Sequence, residues 1–180
     1  MKIGIFMANG LEEVECLTAV DLLRRANIDV KTISIHEKKS VTGAHNITIA
    51  TDYLLNEMDF NTLDGVILPG GMPGTIHLQE NETVCRIVCE FAVSGKLIAA
   101  ICAAPTVFGH LGLLDGKRAT CYPTMEDGLT GAVFTTESVA IDGNIITSRG
   151  VGTAIDFSLA IISYLIDEAT AKKIAAQLVY

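Results

Sequence analysis

The chain has 180 residues, of which 49% are hydrophobic, and its formal net charge is −8 at pH 7. This length is typical of one core, and we expect residues 1–180 to form a single domain. The acidic balance disfavours nucleic acids and anionic membranes as partners, and the apolar stretches are shorter than the ~20 residues that span a bilayer.

Apolar runs of strand length alternate with segments of helical periodicity along the chain. In chain order, the patterns predict a strand at 3–7, a helix at 14–26, a strand at 30–35, a hairpin at 40–50, a strand at 65–68, a helix from 81 or 82 to 94, a strand at 97–101, a helix at 106–114, a hairpin of strands at 139–141 and 145–148, and helices at 153–166 and 170–178. Strands without alternation, separated by helices, indicate a mostly parallel sheet covered on both faces. The expected fold class is therefore α/β.

Three loops follow predicted parallel strands, at residues 8–15, 69–74 and 102–105. In a sheet of this kind, ligands bind outside the carboxyl ends of the strands. We therefore expect the functional site to lie where these three loops meet.

Cys102 marks an abrupt end to the apolar run that begins at residue 97. Small residues, a proline and a helical segment follow, which predicts a nucleophile elbow with the thiol at the corner. Backbone N–H groups and the helix dipole there should lower the pKa of the thiol below its free value of about 8.5. A buried cysteine acting as a small hydrophobic residue is the alternative, and this segment alone leaves both open.

Glu15 is the acidic residue of the first loop that lies among apolar positions, whereas Glu12 and Glu13 suit a helix start as caps. A buried glutamate needs a partner or takes up a proton, and beside a reactive thiol it could move one. In the second loop, Gly70 and Gly71 expose backbone N–H groups and permit close ligand approach, although an ordinary tight turn is the better interpretation of this loop by itself.

The sequence supplies no convincing metal or nucleotide site, so we expect no metal and no cofactor. Cys85 and Cys89 share a helical face, but core packing accounts for them better than a metal. The histidines lie outside the three loops and are expected to be surface or packing residues: His36, His45, His77 and His110. Five cysteines without a disulfide spacing, and no signal-peptide layout, favour free thiols and a cytoplasmic location.

The loops together resemble the ThiJ/PfpI superfamily, and within it the branch of the human Parkinson-disease-associated deglycase and its bacterial homologues. The resemblance rests on the segments at 10–15, 20–26, 66–71, 99–105 and 147–153. It implies a flavodoxin-like three-layer sandwich that forms a homodimer. It also implies that Cys102 is the family's reactive cysteine and that Glu15 is its partner.

The same resemblance implies further site residues. The residues expected in oxyanion or substrate binding are Gly70, Gly71, Ala103, Tyr122 and Arg25. Gly71 and Ala103 match positions whose backbone N–H groups face the substrate oxyanion or the oxidised sulfur, and Arg25 matches an arginine that approaches the neighbouring subunit's site. Tyr122 stands where several members have a histidine, and a phenol with a pKa of about 10 is a poor base, which disfavours a protease.

Two functions remain open from the sequence. One is a cofactor-independent, glyoxalase III- or deglycase-like enzyme that acts on small dicarbonyls or on glycated protein and protects against carbonyl or oxidative stress. The other is an oxidative-stress sensor or redox-regulated chaperone that uses the same cysteine without turnover, because a reactive thiol also oxidises to sulfenic and sulfinic acids.

Overall fold

The structure, a computed structural model, describes all residues from 1 to 180. The strands are β1 (Lys2–Met7), β2 (Asp29–Ser34), β3 (Ser40–Thr42), β4 (Thr48–Ala50), β5 (Tyr53–Leu54), β6 (Gly65–Leu68), β7 (Leu97–Ile101), β8 (Arg118–Ala119), β9 (Val133–Phe134), β10 (Val139–Asp142) and β11 (Ile145–Ser148). The α-helices are α1 (Glu13–Arg25), α2 (Gly74–Glu80), α3 (Glu82–Val93), α4 (Pro105–His110), α5 (Ala154–Leu165) and α6 (Glu168–Gln177).

Seven of the strands form one sheet in the order β10-β11-β7-β6-β1-β2-β5. All neighbours pair in parallel except β10 and β11, which form an antiparallel hairpin at one edge. At the centre of the sheet, every residue of β6 and β7 is buried, and none of them has a polar side chain. This topology confirms the predicted α/β class and the flavodoxin-like sandwich.

Two apolar clusters lie on opposite faces of this sheet. Ile3, Ile5 and Met7 of β1 pack into the cluster that includes residues of α1, α5 and α6. Phe6 of the same strand packs into the other cluster, with residues of α3 and α4. Successive side chains of a strand point to opposite faces, so a strand buried on both sides needs apolar residues at every position. The helices therefore form the two outer layers.

Most of the predicted strands and helices are present, and four short ones were not predicted. The strands at 65–68 and 97–101 are confirmed to the residue, and the hairpin predicted at 40–50 is formed by β3 and β4. The helix predicted to reach 114 ends at His110, and the chain then turns through Gly112, whose φ is 70°. Four short elements were not predicted, namely α2, β5, β8 and β9. No helix has the length and apolar character required to cross a membrane.

Candidate active site

Cys102 occupies a sharp backbone turn directly after β7. Its φ is 66°, a left-handed conformation that is uncommon for residues other than glycine. The turn is held from both sides, because the Cys102 N–H donates to Ser148 O (3.0 Å) and the Tyr122 N–H donates to Cys102 O (2.8 Å). Backbone strain of this kind persists only where the surroundings enforce it. The strand, turn and helix that the sequence predicts around Cys102 are thus present.

Glu15 enters the site from the first turn of α1 and is only 1% exposed. Its Oε2 accepts a hydrogen bond from the Gly70 N–H (3.1 Å), while Oε1 is buried without a hydrogen-bond partner. Burial raises the pKa of the Glu15 carboxyl to about 7, against lowering contributions from the Cys102 thiol and the Gly70 N–H. Glu15 therefore gains and loses a proton close to neutral pH, as a proton shuttle must.

Burial and the negative charge of Glu15 raise the pKa of the Cys102 thiol to about 12. The backbone N–H groups of Ala103 and Gly71 face the sulfur and lower this pKa, but they do not outweigh the other two effects. The sequence prediction of a lowered thiol pKa is therefore wrong. The pKa is raised because the thiol is buried and because it faces the carboxyl of Glu15.

The two groups consequently titrate as a pair. The first proton leaves near pH 7 and the second only near pH 12, because burial disfavours the charged forms and the second loss would leave two negative charges side by side. Between about pH 7 and pH 12 the pair of Glu15 and Cys102 therefore holds mainly one proton. Transfer of that proton from sulfur to carboxyl produces a thiolate without any change in net charge.

An open cavity of about 880 Å³ exposes this pair to solvent. Its lining includes five of the residues singled out from the sequence, namely Cys102, Glu15, Gly71, Ala103 and Tyr122. The Gly71 and Ala103 N–H groups donate to no backbone carbonyl, so both are available at the sulfur. The Tyr122 side chain is 49% exposed at the cavity and hydrogen-bonds nothing there. The cavity can therefore admit a small substrate.

Gly70 lies behind the reacting groups and does not line the cavity. Its N–H is used by Glu15 Oε2, and a Cβ atom at this position would lie 2.5 Å from the Cys102 Cβ and 2.7 Å from Glu15 Oε2. Gly70 thus positions Glu15, and we assign it no oxyanion contact. Its small size is what allows the thiol and the carboxyl to approach each other.

Arg25 lies at the far end of α1, ten residues from Glu15, which corresponds to ~15 Å along a helix. Its Nε forms an exposed ion pair with Asp21 Oδ2 (2.7 Å). Within one chain, Arg25 therefore does not reach the cavity, and the expectation that it approaches a neighbouring subunit's site stays a prediction.

Two charged lining residues were missed by the sequence reasoning, namely Glu12 and Arg149. Glu12 was interpreted as a cap, and its carboxylate does accept from the Val14 N–H (3.5 Å). Arg149 directly follows β11, a strand that pairs in parallel with β7. The rule that ligands meet the carboxyl ends of parallel strands could have identified it.

Glu12, Glu13 and His45 form the cluster of side chains that could hold a metal ion, with ligand atoms within 4.8 Å of one another. Glu13 is already occupied, because Oε1 accepts from the His45 N–H (2.8 Å) and Oε2 contacts His45 Nδ1 (2.8 Å). These contacts tie the β3–β4 hairpin to α1. His45 is therefore a surface residue with a structural partner, and of the three cluster residues Glu12 lines the Cys102 cavity, whereas Glu13 and His45 do not.

Comparison with known proteins identifies the family of the chain. A model of the DJ-1/PfpI family matches residues 1–164 of the chain. The chain belongs to the DJ-1/PfpI family. This assignment confirms the resemblance to the ThiJ/PfpI superfamily that the five sequence segments indicate.

Individual DJ-1 relatives cover nearly the whole chain. Protein DJ-1 homolog B of Arabidopsis thaliana is 38% identical over 99% of this chain, which spans only 41% of that plant protein's length. A Caenorhabditis elegans relative named glutathione-independent glyoxalase DJR-1.2 is 35% identical over 86% of this chain and 82% of its own length. The solved structure of oxidized Toxoplasma gondii DJ-1 superposes with a TM-score of 0.96 at 34% identity, covering 99% of this chain and 98% of that one.

Proposed function

We propose that this DJ-1/PfpI protein is a cofactor-independent enzyme that uses Cys102 to convert small 2-oxoaldehydes into 2-hydroxy acids, as a glyoxalase does. The observation that carries the proposal is the pair of Cys102 and Glu15, which loses the first of its two protons near pH 7 and opens into a cavity. The similarity to a nematode protein named glutathione-independent glyoxalase supports the same reaction.

The reaction begins when the Cys102 proton passes to the Glu15 carboxylate. The thiolate adds to the aldehyde carbon of a substrate such as methylglyoxal, and the carbonyl oxygen takes the proton back from Glu15, giving a hemithioacetal. This addition places the aldehyde carbon and its hydrogen beside the Glu15 carboxylate.

Glu15 then removes the hydrogen of that carbon as a proton and returns it to the neighbouring carbon, while the hydroxyl proton on the first carbon passes to the oxygen of the neighbouring carbon. The product is a thioester of the 2-hydroxy acid, which water cleaves to restore the Cys102 thiol. Overall, one water molecule is added to the dicarbonyl, one carbon is oxidised and its neighbour is reduced. The chemistry therefore balances within the substrate.

Gly71 and Ala103 supply the electrostatic part of this mechanism. Their N–H groups face the sulfur, so an oxygen on the carbon attached to sulfur lies within their reach. Donors fixed in advance stabilise the alkoxide that develops when the thiolate adds. Tyr122, which lines the same cavity, can donate a further hydrogen bond to the substrate.

Turnover of methylglyoxal by purified protein tests the proposal, with the hydroxy acid product followed by NMR. Wild type is expected to turn over, and Cys102→Ser is expected to be inactive because an alcohol is a far weaker nucleophile. Cys85→Ser provides a matched control on α3, outside the cavity. Absence of product from wild type, or its persistence in Cys102→Ser, would contradict the proposal.

Oxidation sensing by Cys102 is a second candidate function. The N–H groups of Ala103 and Gly71 would donate to the oxygens of a sulfinate, and so would a protonated Glu15. A related structure is that of an oxidized DJ-1. Mass spectrometry after mild peroxide treatment separates the candidates, since a sensor oxidises selectively at Cys102 and shows no dicarbonyl turnover.

A homodimer is the assembly that we propose for this protein. Exposed apolar side chains lie together on α1 and near the cavity rim, and they include Val14 (48% exposed), Leu17 (40%) and Val151 (48%). A second copy that covers this surface could also bring its Arg25 towards the site. Sedimentation tests the assembly, and a monomer of 19.2 kDa at micromolar concentration would exclude it.

A further inference from the structure

Arg149 is the single cation among the residues that line the Cys102 cavity. The other charged lining residues are the acids Glu12 and Glu15. The backbone fixes the position of Arg149 relative to the thiol, because the preceding residue, Ser148, accepts the hydrogen bond from the Cys102 N–H (3.0 Å). The guanidinium therefore belongs to the same site as the reactive pair.

The Arg149 guanidinium has most of its donors unused. Its one side-chain hydrogen bond runs from Nη1 to Thr136 O (3.1 Å), and it forms no ion pair. A guanidinium carries five N–H donors, so the remainder can bind a ligand while the bond to Thr136 holds the group in place. Arg149 thus differs from the four other arginines of the chain, each of which forms an ion pair with an acid. It is an unpaired cation in a cavity whose other charged residues carry carboxyl groups.

We propose that Arg149 is the anion-binding residue of the cavity and that it receives the carboxylate of the 2-hydroxy acid product. The identity of the acid rests on the proposed function, whereas the binding of small carboxylates rests on the cavity alone. Glu12 and Glu15 repel a carboxylate and Arg149 attracts it, so a bound acid turns its charged end towards Arg149.

This role makes Arg149 a determinant of specificity and of product release. A planar guanidinium can donate two parallel hydrogen bonds to a carboxylate, which lysine cannot reproduce. A neutral dicarbonyl gains less from Arg149 than the charged acid does. We therefore expect small 2-hydroxycarboxylates to inhibit turnover competitively, through Arg149.

Glycolate binding to the purified protein, measured by isothermal titration calorimetry at low ionic strength, tests this inference without any turnover. The variants are Arg149→Gln and Arg149→Lys, with Arg86→Gln as the matched control. Arg86 pairs with Glu90 on the exposed face of α3, so its replacement removes the same charge far from the cavity. Glycolamide serves as a neutral ligand of nearly the same shape.

Wild type and Arg86→Gln are expected to bind glycolate equally, and Arg149→Gln is expected to bind it at least about tenfold more weakly, which corresponds to ~1.4 kcal/mol. The affinity of Arg149→Lys for glycolate should lie between those of wild type and Arg149→Gln. If Arg149→Gln does not fold, Arg149→Lys tests the inference. Glycolamide should bind every variant alike.

Equal glycolate binding by wild type and the Arg149 variants, or no binding by wild type, overturns the inference. The proposed function fails separately, if wild type does not convert methylglyoxal. If glycolate binding depends on Arg149 but wild type does not convert methylglyoxal, Arg149 is still an anion-binding residue, but its ligand is not the product of the proposed reaction.

Discussion

Replacing Gly70 by alanine is expected to separate the two reacting groups of the site. The new Cβ would lie 2.5 Å from the Cys102 Cβ and 2.7 Å from both Glu15 Oε2 and Ile101 O, whereas ordinary contacts begin at 3.4 Å. Two of these atoms belong to the reactive pair, and the third is backbone in the central strand β7. The added methyl group can therefore be accommodated only if Glu15 or Cys102 moves.

The expected magnitudes follow from this geometry. Overpacking a well-filled site typically costs 1–3 kcal/mol, and ~2 kcal/mol lowers the Tm of a chain of this length by about 4–8 °C. A displacement of ~1 Å between reacting groups can reduce turnover about 10²-fold. For Gly70→Ala, thermal unfolding followed by circular dichroism measures the decrease in Tm. Methylglyoxal turnover at a temperature well below the Tm measures the decrease in activity.

Gly95→Ala is the matched control for a loss of stability without a change at the site. Gly95 has a φ of 74° and open space where a Cβ would stand, so alanine there costs roughly 1–2 kcal/mol through its backbone conformation alone. This variant should lose stability and keep wild-type turnover. Wild-type turnover and stability in Gly70→Ala would refute the reasoning that Gly70 sets the distance between Cys102 and Glu15.

Two further predictions concern the same pair. Limited iodoacetamide labelling and peptide mapping should find Cys102 modified first among the five cysteines, because it alone combines cavity access with a neighbouring proton acceptor; earlier labelling of Cys85 or Cys89 would contradict this. Because the folded-state pKa of Glu15 is about 7 and its ordinary value is 4.5, its stabilising contribution is complete below pH 4.5 and is lost as the pH rises through 7. Denaturant titrations should therefore show wild type losing roughly 3 kcal/mol relative to Glu15→Gln between about pH 4.5 and pH 8, and parallel profiles would refute the raised pKa.

The sheet and its order of elements could be predicted because the signals are local. Residues 65–68 and 97–101 are continuous runs without polar side chains, ended by a proline and a cysteine respectively, and strands buried on both faces require such runs. Two-residue strands such as β5 and β8 contain no period to detect, and their pairing is set by the neighbouring strands. α2 was missed because it follows a loop rich in glycine and proline.

The sequence could predict that Cys102 and Glu15 lie together at one cavity, but not the pKa values of these two groups. Cys102 could be identified because it directly follows a strand, and Glu15 because it stands among apolar positions at a predicted helix start. The raised pKa of the Cys102 thiol could not be predicted, because it depends on burial and on a carboxyl 87 positions away in sequence, and both are set by the fold. The sequence likewise could not show that the Gly70 N–H donates to Glu15 and is therefore not available to a ligand, because this hydrogen bond is a tertiary contact.

The turnover of methylglyoxal by Glu15→Gln, compared with wild type under conditions where Cys102 still alkylates, tests the central claim most directly. Glutamine preserves the size of the side chain but cannot take up and return a proton. Loss of a general acid–base typically lowers turnover by 10²–10⁴-fold, and we expect a decrease of that order with the fold intact. Near wild-type turnover in Glu15→Gln would contradict the account, because Glu15 would then be a structural residue and the proton transfer would take place elsewhere.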